Sequence, residues 1–179
     1  KLAKDHPEEP DHGVELASHE VALASLLGDA GRSAEAEGLY RQTLDRFERG
    51  SRDYRHALAR WVNVPLLYAR LGSLHDAAGR AEEAEKAFRG AVDLWEKAAL
   101  DFPRQASGPG GLAWLLCTCP VGRVRDPARA LVLARRAIEL MPGEPAYRIF
   151  LGLAHYRLGK WQDCLAALDQ ARGRHAHEA

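Results

Sequence analysis

The chain has no excess charge of either sign, no long apolar run and too few cysteines to hold it together. Lys and Arg total 25 against 25 Asp and Glu. A nucleic-acid binder needs a basic surplus to displace counterions, so that class is set aside. No apolar stretch approaches the ~18 residues of a membrane span. Three cysteines, Cys117, Cys119 and Cys164, make an odd number that cannot close a disulfide framework. Such a count fits a reducing, cytoplasmic compartment. β-Branched residues are few, whereas Ala, Leu, Arg and Glu dominate, a composition that favours helix. No phosphate-binding loop, HExxH pair or Ser/His/Asp constellation is present. The chain starts at Lys1, not Met, and shows no secretory leader, which reads as a piece of a longer protein.

What the sequence does contain is a repeat of itself. Residues 20–48 laid over residues 68–96 give identity at 12 of 29 positions. Among them are Leu23/Leu71, Leu26/Leu74, Gly31/Gly79, Arg32/Arg80, Ala36/Ala84, Glu37/Glu85 and Arg41/Arg89. Tyr40/Phe88 and Phe47/Trp95 match as aromatics. A period of this length signals one supersecondary unit copied and stacked.

The chain divides as follows. Residues 1–12 are a polar tail. Residues 13–106 hold two repeats with an inserted helical segment at 49–64, and Pro65 opens the next helix. SGPGG at 107–111 is the strongest breaker and reads as a hinge. Residues 112–173 hold two further repeats, the first of them degenerate, and 174–179 are a second tail. In the first helix Leu16, Val21, Leu23, Leu27 and Ala30 recur at helical spacing. Gly31, Gly79 and Gly159 end helices. Ser33 caps the second helix, and Asp126-Pro127 and Glu144-Pro145 open later ones.

These residues resemble the tetratricopeptide repeat (TPR). The second copy carries the pattern best, with Tyr68, Leu71, Gly72, Gly79, Ala84, Phe88 and Ala91. The last has Leu151-Gly152, His155, Gly159 and Ala171, with Cys164 and Leu168 in the places of the usual Ala and aromatic. The first departs at two positions, where Glu20 replaces a bulky residue and Thr43 an alanine. The resemblance implies an all-α helical-repeat solenoid, a right-handed superhelix of antiparallel helix pairs. Small residues admit close helix approach, and large ones fill the holes between helices. A narrower likeness joins the 48-residue spacing, the GRSAEAEGLYR segment and the run LAWLLCTCP…RDPARAL…ARRAIELMP. These are similar to TPR regions of large bacterial signalling proteins, many bearing a Hanks-type serine/threonine kinase domain. No kinase motif lies in these residues.

The function this implies is non-catalytic protein–protein interaction, with a protein or peptide held in a concave groove. Structural spacing or self-association is the second reading. From the family's geometry the groove would be lined by Leu66, Ala69 and Ser73, by Leu115 and Cys119, and by Ile149, Leu153, Tyr156 and Arg157. The alternative for these residues is coverage by segment 49–64 or by a flanking repeat. No catalytic residue, metal or cofactor is expected. The cysteines read as small core residues, and His75 and His155 as packing residues at an aromatic position. His175-Ala-His177 is at most a loose chelator. Arg32, Glu35, Glu37 and Arg41 read as a solvated face with i,i+4 pairs.

Overall fold

The computed structural model describes residues 10–49 and 54–175, and within them every regular element is a helix. There are eight: α1 (Pro10–Asp29), α2 (Ser33–Arg49), α3 (Tyr54–Ala77), α4 (Ala81–Asp101), α5 (Ser107–Thr118), α6 (Pro127–Leu140), α7 (Pro145–Arg157) and α8 (Trp161–His175). The expectations for residues 1–9, 50–53 and 176–179, His177 included, lie outside the described residues.

Three of the turns inside helix pairs are the same structure. Gly31, Gly79 and Gly159 have φ of 76°, 73° and 72°, a region open to glycine without a Cβ penalty. Around each, the next amide reaches back five residues: Arg32 N to Leu27 O at 2.8 Å, Arg80 N to His75 O at 2.9 Å, Lys160 N to His155 O at 2.9 Å. The glycine amide itself bonds three residues back, at 2.9–3.0 Å in all three. This double closure satisfies the last carbonyls of each first helix and turns the chain into the second.

The chain forms two compact units, Lys1–Ala87 and Phe88–Ala179, and the division falls within α4. In the first unit α1 packs on α2, and α3 packs on both. Among the α1 residues whose side chains are described, the small Ala17 and Ala24 are buried, whereas Leu23 and Leu26 are exposed. Alanine spacing, not the leucines, therefore sets how close α2 can come. α3 is one continuous helix of 24 residues that absorbs most of the segment expected as an insertion. Pro65 is buried inside it and does not open it. Its missing N–H leaves one helical carbonyl without its usual donor. Ser33 is the first residue of α2 rather than a cap outside it, since Ala36 N already bonds Arg32 O at 3.1 Å.

In the second unit α5 packs on α6 and α7, α6 on α7, and α7 on α8. The expected hinge at 107–111 is instead the opening of α5, and Gly108, Pro109 and Gly110 are buried. The glycines serve close approach. A Cβ on Gly108 would lie 2.8 Å from Ala99 N, and one on Gly111 would lie 2.5 Å from the Trp95 ring. A Cβ on Gly110 would collide with the Tyr147 ring. Trp95 and Trp114 meet edge to face, with centroids 6.1 Å apart. Asp126 and Glu144 cap α6 and α7 as expected, accepting from Arg129 N at 2.9 Å and Ala146 N at 3.1 Å.

Candidate functional site

The residues expected to line a groove separate into two groups. Ala69, Leu115 and Cys119 are enclosed, so they are core and present no surface. Ser73, Ile149, Tyr156 and Arg157 are exposed, and Leu66 and Leu153 are half-buried. The correction is a matter of register. On α3 the accessible line runs Asn63, Leu66, Arg70, Ser73, so Arg70 takes the place given to Ala69. On α5 it runs Gly111, Trp114, Thr118, one residue before Leu115 and Cys119. α5 has neighbours on several sides and buries eight of its 12 residues, so hydrophobicity alone does not mark its open edge.

Within the second unit the open edge of α5 and that of α7 belong to helices in contact. Ile149, Leu153 and Tyr156 stand at i, i+4 and i+7 on α7, a single face. Arg157 does more than line it. Its Nε donates to Cys117 O at 3.1 Å and so ties α7 to the carbonyl end of α5. A guanidinium at that end also meets the negative pole of the helix. Arg148 acts likewise, donating from a buried position to Pro142 O at 2.8 Å just beyond α6. Tyr156 stacks edge to face on Trp161, with centroids 5.2 Å apart.

The first unit holds a polar cluster that the sequence reading placed in solvent. Glu37 pairs with Arg41 on its own helix at 2.7 Å, as expected. It also accepts from Arg80 of the next repeat at 2.7 Å and lies 3.5 Å from Nε2 of the buried His75. Only 16% of its side chain is exposed. The Arg80 guanidinium holds the Glu37 carboxyl below the usual carboxylate range. Glu20 and Thr43, the two departures in the first repeat, explain each other. Thr43 is fully buried and its hydroxyl donates to Glu20 at 2.8 Å, while Arg46 donates to the same carboxylate at 2.8 Å.

None of the three cysteines is in a disulfide, and all three are buried. Burial pushes the Cys117 thiol up to about 11, so it is a poor thiolate. His155 is buried too, and desolvation lowers its pKa despite Asp163 at 3.6 Å. Among the described residues no group of His, Cys, Asp and Glu has the arrangement of a metal site, and no helix is long and apolar enough to cross a membrane.

Comparison with known proteins agrees with this architecture. No curated protein matches the sequence. A thermophilic TPR protein of Thermus thermophilus is similar in structure, with a TM-score of 0.52 at 18% identity over 87% of this chain and 72% of that one. MamA (TM-score 0.45, 15% identity, 99% and 85% covered) and BtubC of P. vanneervenii (0.43, 19%, 98% and 85%) are more distant. The tetratricopeptide-repeat family profile matches residues 67–102, the second copy. The fold is an all-α helical repeat of the tetratricopeptide type.

Proposed function

We propose that this chain is a non-catalytic scaffold that binds a protein or peptide segment on the open faces of its first helices. The observation that carries this reading is on α7, where Ile149, Leu153 and Tyr156 form one partly exposed face beside the Trp114 edge of α5. Arg157 and the Tyr156–Trp161 stack hold its side chains in place. An apolar, preformed line of this kind suits the apolar side of a helix or extended segment. It carries no pair of lysines to clamp a terminal carboxylate. The likeness of the GRSAEAEGLYR segment and its 48-residue period to regions of bacterial signalling proteins supports a regulatory role within such a protein.

The test is capture from a bacterial lysate with the wild-type chain, Ile149→Glu, and Val132→Glu as a control. Val132 is exposed on α6, outside the proposed face. Ile149 is chosen over Tyr156 so that the stack on Trp161 stays intact. Proteins held by the wild type and the control but lost with Ile149→Glu support the reading. The same proteins retained by Ile149→Glu, with an unchanged thermal melt, overturn it.

A further inference from the structure

The open edges of α5 and α7 lead to the same end of the second unit. On α5 the accessible line Gly111, Trp114, Thr118 stops at the last residue of the helix. On α7 the line Ile149, Leu153, Tyr156 stops one residue before Arg157, the last of its helix. The bond from Arg157 Nε to Cys117 O, 3.1 Å long, puts these two helix ends side by side. A second arginine reaches the same place from the turn after α5. Arg125 Nη2 donates to Pro120 O at 2.9 Å. Cys117 and Pro120 are three residues apart, and the chain between them spans at most about 11 Å.

What sets these two arginines apart is what they lack. Arg32, Arg46, Arg80, Arg129 and Arg136 each meet a carboxylate of the chain. Among the described residues, Arg125 and Arg157 bond to carbonyls alone. Asp126, next to Arg125, is taken up as the cap of α6, and Asp163 lies against His155. A guanidinium has five N–H donors, and each of these two bonds through one nitrogen. Nε of Arg125 is buried without a hydrogen bond. Part of the positive charge answers the carbonyl ends of α5 and α7. Each such end carries roughly half a negative charge, so two guanidiniums leave about one positive charge over. Arg157 is exposed and Arg125 half-buried, so this excess reaches solvent where the apolar lines stop.

We propose that Arg125 and Arg157 receive the carboxylate of an acidic side chain carried by the segment that lies on the α7 face. This rests on the scaffold reading and adds the chemistry of one end of the partner. The segment has apolar residues at i, i+4 and i+7, then one or two Glu or Asp past the residue that meets Tyr156. A guanidinium takes a carboxylate through two parallel N–H···O bonds, so the pair sets the direction of the segment as well as holding it.

Fluorescence anisotropy with labelled synthetic helical peptides tests it. The peptides carry leucine at i, i+4 and i+7, with two Glu, two Gln or two Lys beyond each end of that line. The Glu peptide should bind at least about tenfold tighter than the Gln peptide at low salt, with the Lys peptide weakest. Added NaCl should narrow the gap. Arg125→Gln should remove most of the Glu advantage and leave the Gln peptide as it was, whereas a purely structural Arg125 would weaken both alike. Arg136→Gln, on the exposed side of α6, should change neither. Circular dichroism melts check that each variant folds, and if Arg125→Gln does not, Arg157→Gln carries the same comparison. The arginine Nε–Hε signals in NMR spectra give a readout that needs no leucine. A peptide with the same Glu residues and Ala in place of each Leu should move the signals of Arg125 and Arg157. Signals that move while no leucine peptide binds support the arginine site and overturn only the α7 reading. Equal affinity for the Glu and Gln peptides, or a Glu advantage that survives Arg125→Gln, overturns the proposal. So do signals that stay fixed, or that inorganic phosphate at the same concentration moves as far, since that marks a site for any small anion.

Discussion

The first unit and the second hold their helices together by different means. In the first, side chains that could have faced water are drawn into the contacts between helices, both within a repeat and between repeats. Glu37 is shared by Arg41, Arg80 and His75, and Glu20 by Thr43 and Arg46. In the second, polar ties such as Arg157 to Cys117 O and Arg129 to Glu96 persist, but the closest joints are steric: Gly108, Gly110 and Gly111 let helix and ring approach, and Ala113, Ala130, Ala134, Ala137 and Ala154 are wholly buried. One repeat pattern thus tolerates either solution, although the ring nitrogens of His75 and Nδ1 of His155 are buried without a hydrogen bond. The two solutions differ in what breaks them. A steric joint fails when a methyl is added, and a charged joint fails when a proton is.

The largest contrast should come from one substitution made in both units. Gly108→Ala places a Cβ 2.8 Å from the backbone nitrogen of Ala99, which cannot swing aside. Overpacking of this kind costs roughly 1–3 kcal/mol. Gly38→Ala on α2 meets nothing within 4 Å. There the gain is the helix preference of alanine over glycine, about 0.5–1 kcal/mol. Thermal or denaturant melts should move in opposite directions for the two variants. A stabilised Gly108→Ala would mean that the close approach on α5 is not what holds the second unit.

How much of this was legible in the sequence depends on how local the cause is. The three glycine turns and the caps at Asp126 and Glu144 were readable because each needs a particular residue within a few positions. The helical-repeat class followed from the copied pattern. The run 107–111 was misread because glycines chosen for close approach look the same as glycines chosen for freedom. Only the position of Ala99, Trp95 and Tyr147 tells them apart. Glu37 looked solvated because its Arg41 partner is local while Arg80 lies 43 residues away. Glu20 and Thr43 each looked like a departure, and reading them as a pair would have given the contact. The face register slipped on α3 and α5 for a related reason: helices covered on several sides bury more than one stripe.

Glu37→Gln tests the charged joint. The folded pKa of Glu37 is lowered, first by the hydrogen bond from Arg80. Its carboxylate therefore contributes stability above the unfolded value, near 4.5, and loses it as pH falls through the folded value. The amide variant should cost ~1 kcal/mol near neutral pH, a charge-assisted hydrogen bond reduced by screening at the exposed end of its partners. As pH falls through the folded value, which lies below 4.5, the difference from the wild type should shrink and then vanish, because the wild-type carboxyl is by then protonated in both states. A penalty independent of pH would mean that the side chain matters for packing and not for charge.

The smallest effect belongs to the second unit and is an acid sensitivity that starts at higher pH. The pKa of His155 is lowered from the ordinary histidine value of 6.5, chiefly by desolvation, and Asp163 only partly restores it. The neutral ring is the one the fold accepts, so its stability is complete above about pH 6.5 and is lost as pH falls through the folded value. His155→Phe fills the aromatic position of the repeat without a titrating group. Its melting temperature should match or slightly exceed that of the wild type at neutral pH, and the gap should widen between about pH 6.5 and pH 5. The same ramp on Glu37→Gln should show no widening in that window, because Glu37 keeps its charge there. If His155→Phe and the wild type fall together over that range, the histidine is not a weak point of the steric joint. The acid limb of both units would then belong to carboxylates alone.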